Sequence, residues 1–184
     1  MRPIGLLPVY SKVLERIIYQ RLLWYINKKN VINKNQHGFL PRTSAENVVI
    51  NLVEQIKASW HSKKNVALLS FDFKGAFNAA WWPKAIVVIR TLLNSNTSLL
   101  GILENYFNHR SVEVNYWTIS RNIQCERGCI QGSILGPIIW NLVMNDVFDH
   151  SINCVIVQAY ADDITVWSLL QMTQHIEQDR TKIH

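Results

Sequence analysis

The tetrapeptide Tyr160-Ala161-Asp162-Asp163 sets two carboxylates side by side between two β-forming runs, residues 155–159 and 164–167, and so predicts a hairpin with an acidic tip. Adjacent like charges repel, and both stay ionised only when solvent or a cation of higher charge compensates them. A divalent metal is the usual compensation. A third carboxylate, Asp72, interrupts the end of the apolar run 66–73. If the hairpin lies beside that run, three acids converge. This is the ligand set of two-metal phosphoryl transfer, where one ion activates the attacking hydroxyl and the other steadies the leaving oxygen. Taken alone, Asp163 reads equally well as a turn residue bonded to its own backbone.

The elements that must position these acids follow from periodicity. Val13, Leu14, Ile17, Ile18, Leu22, Leu23 and Ile26 recur at helical spacing, predicting an amphipathic helix over 11–29. Thr43-Ser44-Ala45-Glu46 has capping-box spacing ahead of a second helix that runs to about residue 61. Residues 66–73 read as a strand buried on both faces, because their apolar residues run on rather than alternate. Pro83 is placed to open a helix over 84–93, and residues 98–108 predict another. Val112, Val114 and Tyr116 alternate with polar neighbours as a half-buried strand does, and 121–126 reads as its returning partner. A turn at 128–132 leads into a helix over about 135–148, with Pro137 tolerable only in its first turn. Residues 171–184 read as helix. Helices and strands alternate without repeats or linkers, which predicts one mixed α+β unit.

Composition narrows the class. At 184 residues, 48% hydrophobic and 17% charged, the chain is long and apolar enough to build a globular core. No apolar stretch reaches the length of a bilayer span, and Arg2 is not followed by a signal-type segment, so a location inside the cell and no membrane partner are expected. Three sparse cysteines, Cys125, Cys129 and Cys154, fit reduced thiols better than a disulfide framework or a zinc site. Residues 1–64 hold eleven Lys or Arg against three acids, while residues 65–184 hold eight against ten. A basic lobe joined to a slightly acidic one suits a polyanion gripped by the first and metal-dependent chemistry done by the second.

Five blocks in one order then point to a family. They are Arg2-Pro3-Ile4-Gly5-Leu6-Leu7 with Lys12 and Glu15; Gln36-His37-Gly38-Phe39; Phe71-Asp72-Phe73-Lys74-Gly75-Ala76-Phe77; Gly128-Cys129-Ile130-Gln131-Gly132-Ser133 with Gly136-Pro137; and Ala159-Tyr160-Ala161-Asp162-Asp163. The chain resembles the reverse transcriptase of a non-LTR, Jockey-like retrotransposon along nearly its whole length. The resemblance implies a right-hand polymerase palm with fingers elements: a fingers portion at 1–64, and a palm at 65–184 with a return to the fingers at about 95–130. It implies RNA-directed DNA polymerase activity with two Mg2+ ions, or Mn2+ in their place. The implied partners are an RNA template, a DNA primer and deoxynucleoside triphosphates, in the nucleus and cytoplasm.

The same resemblance assigns residues. Asp72, Asp162 and Asp163 are the expected catalytic metal ligands. Phe77 is the expected sugar gate, excluding a 2′-hydroxyl by shape, although composition alone would make it core. Phe73, Gln131 and Arg2 are expected at the nucleotide, Arg2 through triphosphate oxygens. Lys12 and Gly132 are expected at the nucleic acid, and Arg110, from its place just before the strand over 112–116, is a candidate for the template backbone. Trp81, Trp82, Trp117 and Trp140 offer stacking surfaces or core filling.

Two departures bear on activity. Asn78 stands where such elements usually carry aspartate, which removes a charge near the expected site. The chain also opens inside the fingers block and stops soon after the hairpin, with no thumb and no preceding endonuclease, so a partial copy is expected. The alternative reading is a catalytically weak or inactive nucleic-acid-binding remnant. A metal-dependent nuclease on the same carboxylates is a third.

Overall fold

The acidic hairpin forms, and it lies beside the strand that carries Asp72. Strand β1 (Asn65–Asp72) pairs antiparallel with β5 (Asp163–Leu170), which pairs antiparallel with β4 (Val155–Tyr160), giving the sheet order β1-β5-β4. The computed structural model describes residues 5–94, 98–108, 110–129, 131–150 and 155–170. Arg2, Cys154 and the helix expected over 171–184 lie outside the described residues.

The helices form close to where periodicity puts them: α1 (Val9–Lys29), α2 (Ala45–His61), α4 (Trp82–Leu93), α5 (Ser98–Phe107) and α6 (Gly136–Met144), with a short α3 (Ala76–Ala79) that no periodic signal announces. Pro83 and Pro137 each sit in a first turn, where the missing N–H costs nothing. A 3-10 helix, Asn145–His150, continues α6, so the long helix expected there changes its winding after Met144. The cap of α2 sits one residue later than expected. Ser44 and Asn47 form the reciprocal box, with Ser44 N–H donating to Asn47 Oδ1 at 2.9 Å, while the Thr43 hydroxyl instead donates to the carbonyls of His37 and Leu40.

The main core lies where α1, α4, α5 and α6 meet. Leu22, Ile89, Leu93, Leu103, Leu135, Ile138, Ile139 and Leu142 are almost wholly removed from water there. A smaller cluster, Phe148 with Val157, Ala159 and Ile164, pins the 3-10 helix to the sheet. Hydrophobic burial at these two centres is the main driving force for the fold.

Two expectations about burial fail. Strand β1 is not buried on both faces: Leu68, Leu69 and Phe71 are exposed, Leu69 by 60%. It is an edge strand paired only with β5 among the described strands, and an apolar run cannot by itself tell a covered strand from an uncovered one. The hairpin β2 (Ser111–Tyr116) and β3 (Ile119–Gln124) forms in register around Trp117, but it is exposed on both faces rather than half-buried. Its alternation marks a face that the described residues leave open.

Candidate active site

Register brings two of the three acids together. Asp72, the last residue of β1, is directly opposite Asp163, the first residue of β5. Residues so opposed on antiparallel strands project to the same face, with Cβ atoms about 4.5–5.5 Å apart. Asp162 precedes Asp163 in the two-residue turn, Ala161-Asp162, that joins β4 to β5. Among the described residues no Lys or Arg forms an ion pair with any of the three. Nor do three His, Cys, Asp or Glu side chains gather closely enough among the described residues to make a metal site by themselves. The arrangement nevertheless fits magnesium, which is commonly held by one or two carboxylates and completes its shell with water and substrate phosphate oxygens.

The turn carrying Asp162 is held from outside the hairpin. Ala161 has φ +61°, in a position that two-residue hairpin turns usually give to Gly, Asn or Asp. Gln36, only 1% exposed, faces it: Gln36 Oε1 accepts from Ala161 N–H at 3.1 Å and from Gly38 N–H at 2.8 Å, and Gln36 Nε2 donates to the Ala161 carbonyl at 3.3 Å. The Trp140 indole N–H donates to the same carbonyl at 3.2 Å. Gly38 lies so close that a Cβ built on it would stand 2.1 Å from the Ala161 nitrogen. The loop around Gln36 also runs parallel beside the free edge of β4, with His37 N–H donating to Ala159 O at 2.8 Å and Ala159 N–H to Asn35 O at 2.9 Å.

Helix α6 and its 3-10 continuation anchor that loop. Asn141, fully buried, donates through Nδ2 to the Gly38 carbonyl at 2.7 Å. Four residues on, Asn145 accepts from Asn33 N–H at 2.8 Å and donates to the Val31 carbonyl at 2.9 Å. Both helical asparagines thus spend their amides on loop backbone, which cannot satisfy itself when buried.

Phe77, in α3, is half-buried. Its ring stands edge-on to Phe39 and tilted against Trp140, with both centroids 5.6 Å away. Backbone bonds tie α3 to the segment before Gln131: Cys129 N–H donates to Phe77 O and Gly128 N–H to Ala80 O. Gly128, at φ +95°, packs on the backbone of Asn78, where a side chain would meet Asn78 O at 3.1 Å. Gln131 and Arg110 share with Asn78, Arg127 and Cys129 the lining of a cavity of about 250 Å³, to which the aspartates do not contribute. Phe73, Lys12 and Gly132 are exposed. Trp82 and Trp140 are core, whereas Trp81 and Trp117 are exposed.

Three buried polar residues, Glu15, Asn141 and Gln36, were not foreseen as site-builders. Glu15, 3% exposed on α1, accepts hydrogen bonds from Tyr106 OH at 2.8 Å, Ser133 Oγ at 3.0 Å and Ile134 N–H at 2.7 Å, fastening α1 and α5 to the turn after Gln131. Burial raises the Tyr106 pKa, opposed by its bond to Ser133 and by Arg110, whose guanidinium sits 4.1 Å from the ring centroid. The signal for Asn141 is that of a polar residue inside the apolar run 138–143, which is rarely placed there for packing alone. Gln36 stood in a quoted block with no structural reason attached.

Known proteins resemble this chain in sequence and in fold. A family model described as reverse transcriptase (RNA-dependent DNA polymerase) matches residues 1–180. The chain is 29% identical over 169 residues to the probable RNA-directed DNA polymerase from transposon X-element of Drosophila melanogaster, covering 90% of this chain and 18% of that protein. It is 26% identical over 172 residues to the RNA-directed DNA polymerase from mobile element jockey of Drosophila funebris, covering 90% and 19%. It is 31% identical over 166 residues to the retrovirus-related Pol polyprotein from type-1 retrotransposable element R1 of Bradysia coprophila, covering 90% and 16%. The chain thus spans less than a fifth of these relatives' length. Among solved structures, apo telomerase from Candida tropicalis matches with a TM-score of 0.66 at 9% identity, over 90% of this chain and 33% of that one. Telomerase from Candida albicans, in complex with the TWJ fragment of telomeric RNA, matches at 0.65 and 12% identity, over 90% and 32%. At such identities the likeness is one of fold. With sequence blocks, sheet topology and family model in agreement, the chain belongs to the reverse transcriptase family and is similar to the polymerases of non-LTR mobile elements.

Proposed function

We propose that this chain carries the nucleotidyl-transfer centre of an RNA-directed DNA polymerase of a mobile element. The observation that carries the reading is the cross-strand pairing of Asp72 with Asp163, with Asp162 beside it, in a chain of this family. In this reading the three carboxylates hold two magnesium ions, with manganese able to replace them. When bound, the ions lower the pKa of a primer 3′-hydroxyl and neutralise charge that develops on the leaving oxygen. The protein's own part is placement. Phe77, wedged between Phe39 and Trp140, presents a rigid ring that leaves no room for a 2′-hydroxyl, so deoxynucleotides are selected by shape.

Phe73, Gln131 and Arg2 meet the incoming deoxynucleoside triphosphate. Lys12 and Arg110 meet the backbone of an RNA template and DNA primer, and exposed Gly132 lets the strand pass close to the main chain. Residues 1–64 act as the fingers portion and residues 65–184 as the palm, with a return to the fingers at about 95–130. Nuclear and cytoplasmic residence is the location expected from the family. Among the described residues no helix is long and apolar enough to cross a membrane.

Primer extension on an RNA template with magnesium tests the reading. The expected result is extension that falls by at least about a hundredfold in Asp72→Asn and in Asp162→Asn, since losing a ligand should cost no less than losing a group that merely orients one. Equal extension by the wild-type chain and both variants would remove the aspartates from the chemistry. Binding of the hybrid without extension would favour the non-catalytic remnant, and template cleavage would favour a nuclease.

A further inference from the structure

We infer that Gln36 is a positioning residue for the metal-binding acids, a clamp that fixes the Ala161 peptide and through it the direction of Asp162 and Asp163. The inference rests on the proposed metal role of those acids. A carboxamide presents an acceptor and a donor in one plane, as a neighbouring strand does. Gln36 uses both on the same residue, accepting from Ala161 N–H and donating to Ala161 O, and a second acceptor bond ties it to Gly38. Ala161 needs such a partner. A non-glycine residue at φ +61° is disfavoured and persists only where its surroundings fix it.

The Ala161 carbonyl belongs to the peptide that leads into Asp162, so rotation of this unit swings the first carboxylate of the pair. Among the described residues nothing else near the turn duplicates the grip. Trp140 reaches only the carbonyl, and Gly38 only prevents retreat by its closeness. Asn141 holds Gly38 in turn, which makes the clamp part of a buried network rather than a lone surface contact.

The test uses the full chain and has two readouts. Mn2+ affinity is measured from the electron paramagnetic resonance signal of free Mn2+, and amide hydrogen exchange is followed at Ala161 and Asp162. Gln36→Met keeps the volume and removes all three bonds. It is expected to weaken Mn2+ binding about tenfold, the scale seen when a group that orients a metal ligand is lost, and to speed Ala161 exchange by a similar factor. Asp163→Asn should weaken Mn2+ binding while leaving Ala161 exchange unchanged, which separates ligand from clamp. If Gln36→Met does not fold, Gln36→Glu keeps the acceptor and loses only the donor to Ala161 O; faster Asp162 exchange is expected there. Unchanged Mn2+ affinity and unchanged exchange in a folded Gln36 variant overturn the inference. A wild-type chain that binds no Mn2+ overturns the metal reading instead, and the clamp then stands or falls on exchange.

Discussion

At the scale of single residues, the polar groups that matter most are those with no water to fall back on. Glu15 is the acceptor for three donors drawn from two other segments. Glu15→Ala would strand Ser133, Tyr106 and the Ile134 N–H, and a loss of about 3 kcal/mol is expected in urea titrations. A cost under about 1 kcal/mol would mean that water replaces the carboxylate. Cys129 gives a chemical readout of the same core. Burial pushes its thiol up to about 12, with Arg110 pulling slightly the other way, so it stays protonated and inert at pH 8. Iodoacetamide should therefore leave Cys129 unmodified in the folded chain while labelling the partly exposed Cys125, as peptide mass spectrometry would read. For Phe77, substitution by alanine opens the space between Phe39 and Trp140. Ribonucleotide incorporation relative to deoxynucleotide should rise in an active chain, and an unchanged ratio would return Phe77 to a packing role.

At the scale of elements, the loop around Gln36 is bonded to the acidic hairpin as closely as many strands are to each other. Gly38 is where the two backbones touch. Gly38→Ala forces a Cβ onto the Ala161 nitrogen, and overpacking against backbone is expected to cost at least about 1–3 kcal/mol, measured by thermal or chemical melting. His37 adds a pH dependence. It is 9% exposed, and burial lowers its pKa from the ordinary 6.5, so the folded state prefers the neutral ring. Above pH 6.5 neither state binds the proton and this contribution to stability is complete. As pH falls from 6.5 toward the lowered folded value, the unfolded chain binds a proton that the folded chain does not, and stability declines. The melting temperature should drop over that window, and less so in His37→Gln. A parallel decline in both chains would assign the effect to other groups.

At the scale of the whole molecule, charge is unevenly spread along the chain and one sheet edge is left apolar and open. Eleven of the nineteen basic residues lie in the first 64 positions, where a polyanion would bind. Affinity for an RNA–DNA hybrid should fall steeply with salt, and Lys12→Ala should reduce the slope of log affinity against log salt by about one. Strand β1 presents Leu68, Leu69 and Phe71 to solvent at a sheet edge, a template for pairing with another chain. Sedimentation velocity at micromolar concentration is expected to show association that Leu69→Lys reduces.

Much of this protein was written in its sequence. Helical periodicity and proline placement located α1, α2, α4 and α5 to within a few residues, because those signals are local and the core they build is close-packed. The Tyr160–Asp163 hairpin and its pairing of acids were legible for the same reason: a short turn between β-forming runs leaves few ways to fold. Tertiary structure alone decided the rest. Whether the apolar faces of β1 and β2 are covered depends on neighbours far along the chain, and no local pattern encodes a neighbour's presence. Nor could spacing disclose that Gln36, 125 positions before Ala161, would grip the acidic turn, because that bond needs the loop that α6 holds beside β4. Side-chain chemistry fixed which atoms are able to bind a metal, and packing between distant segments fixed where they point.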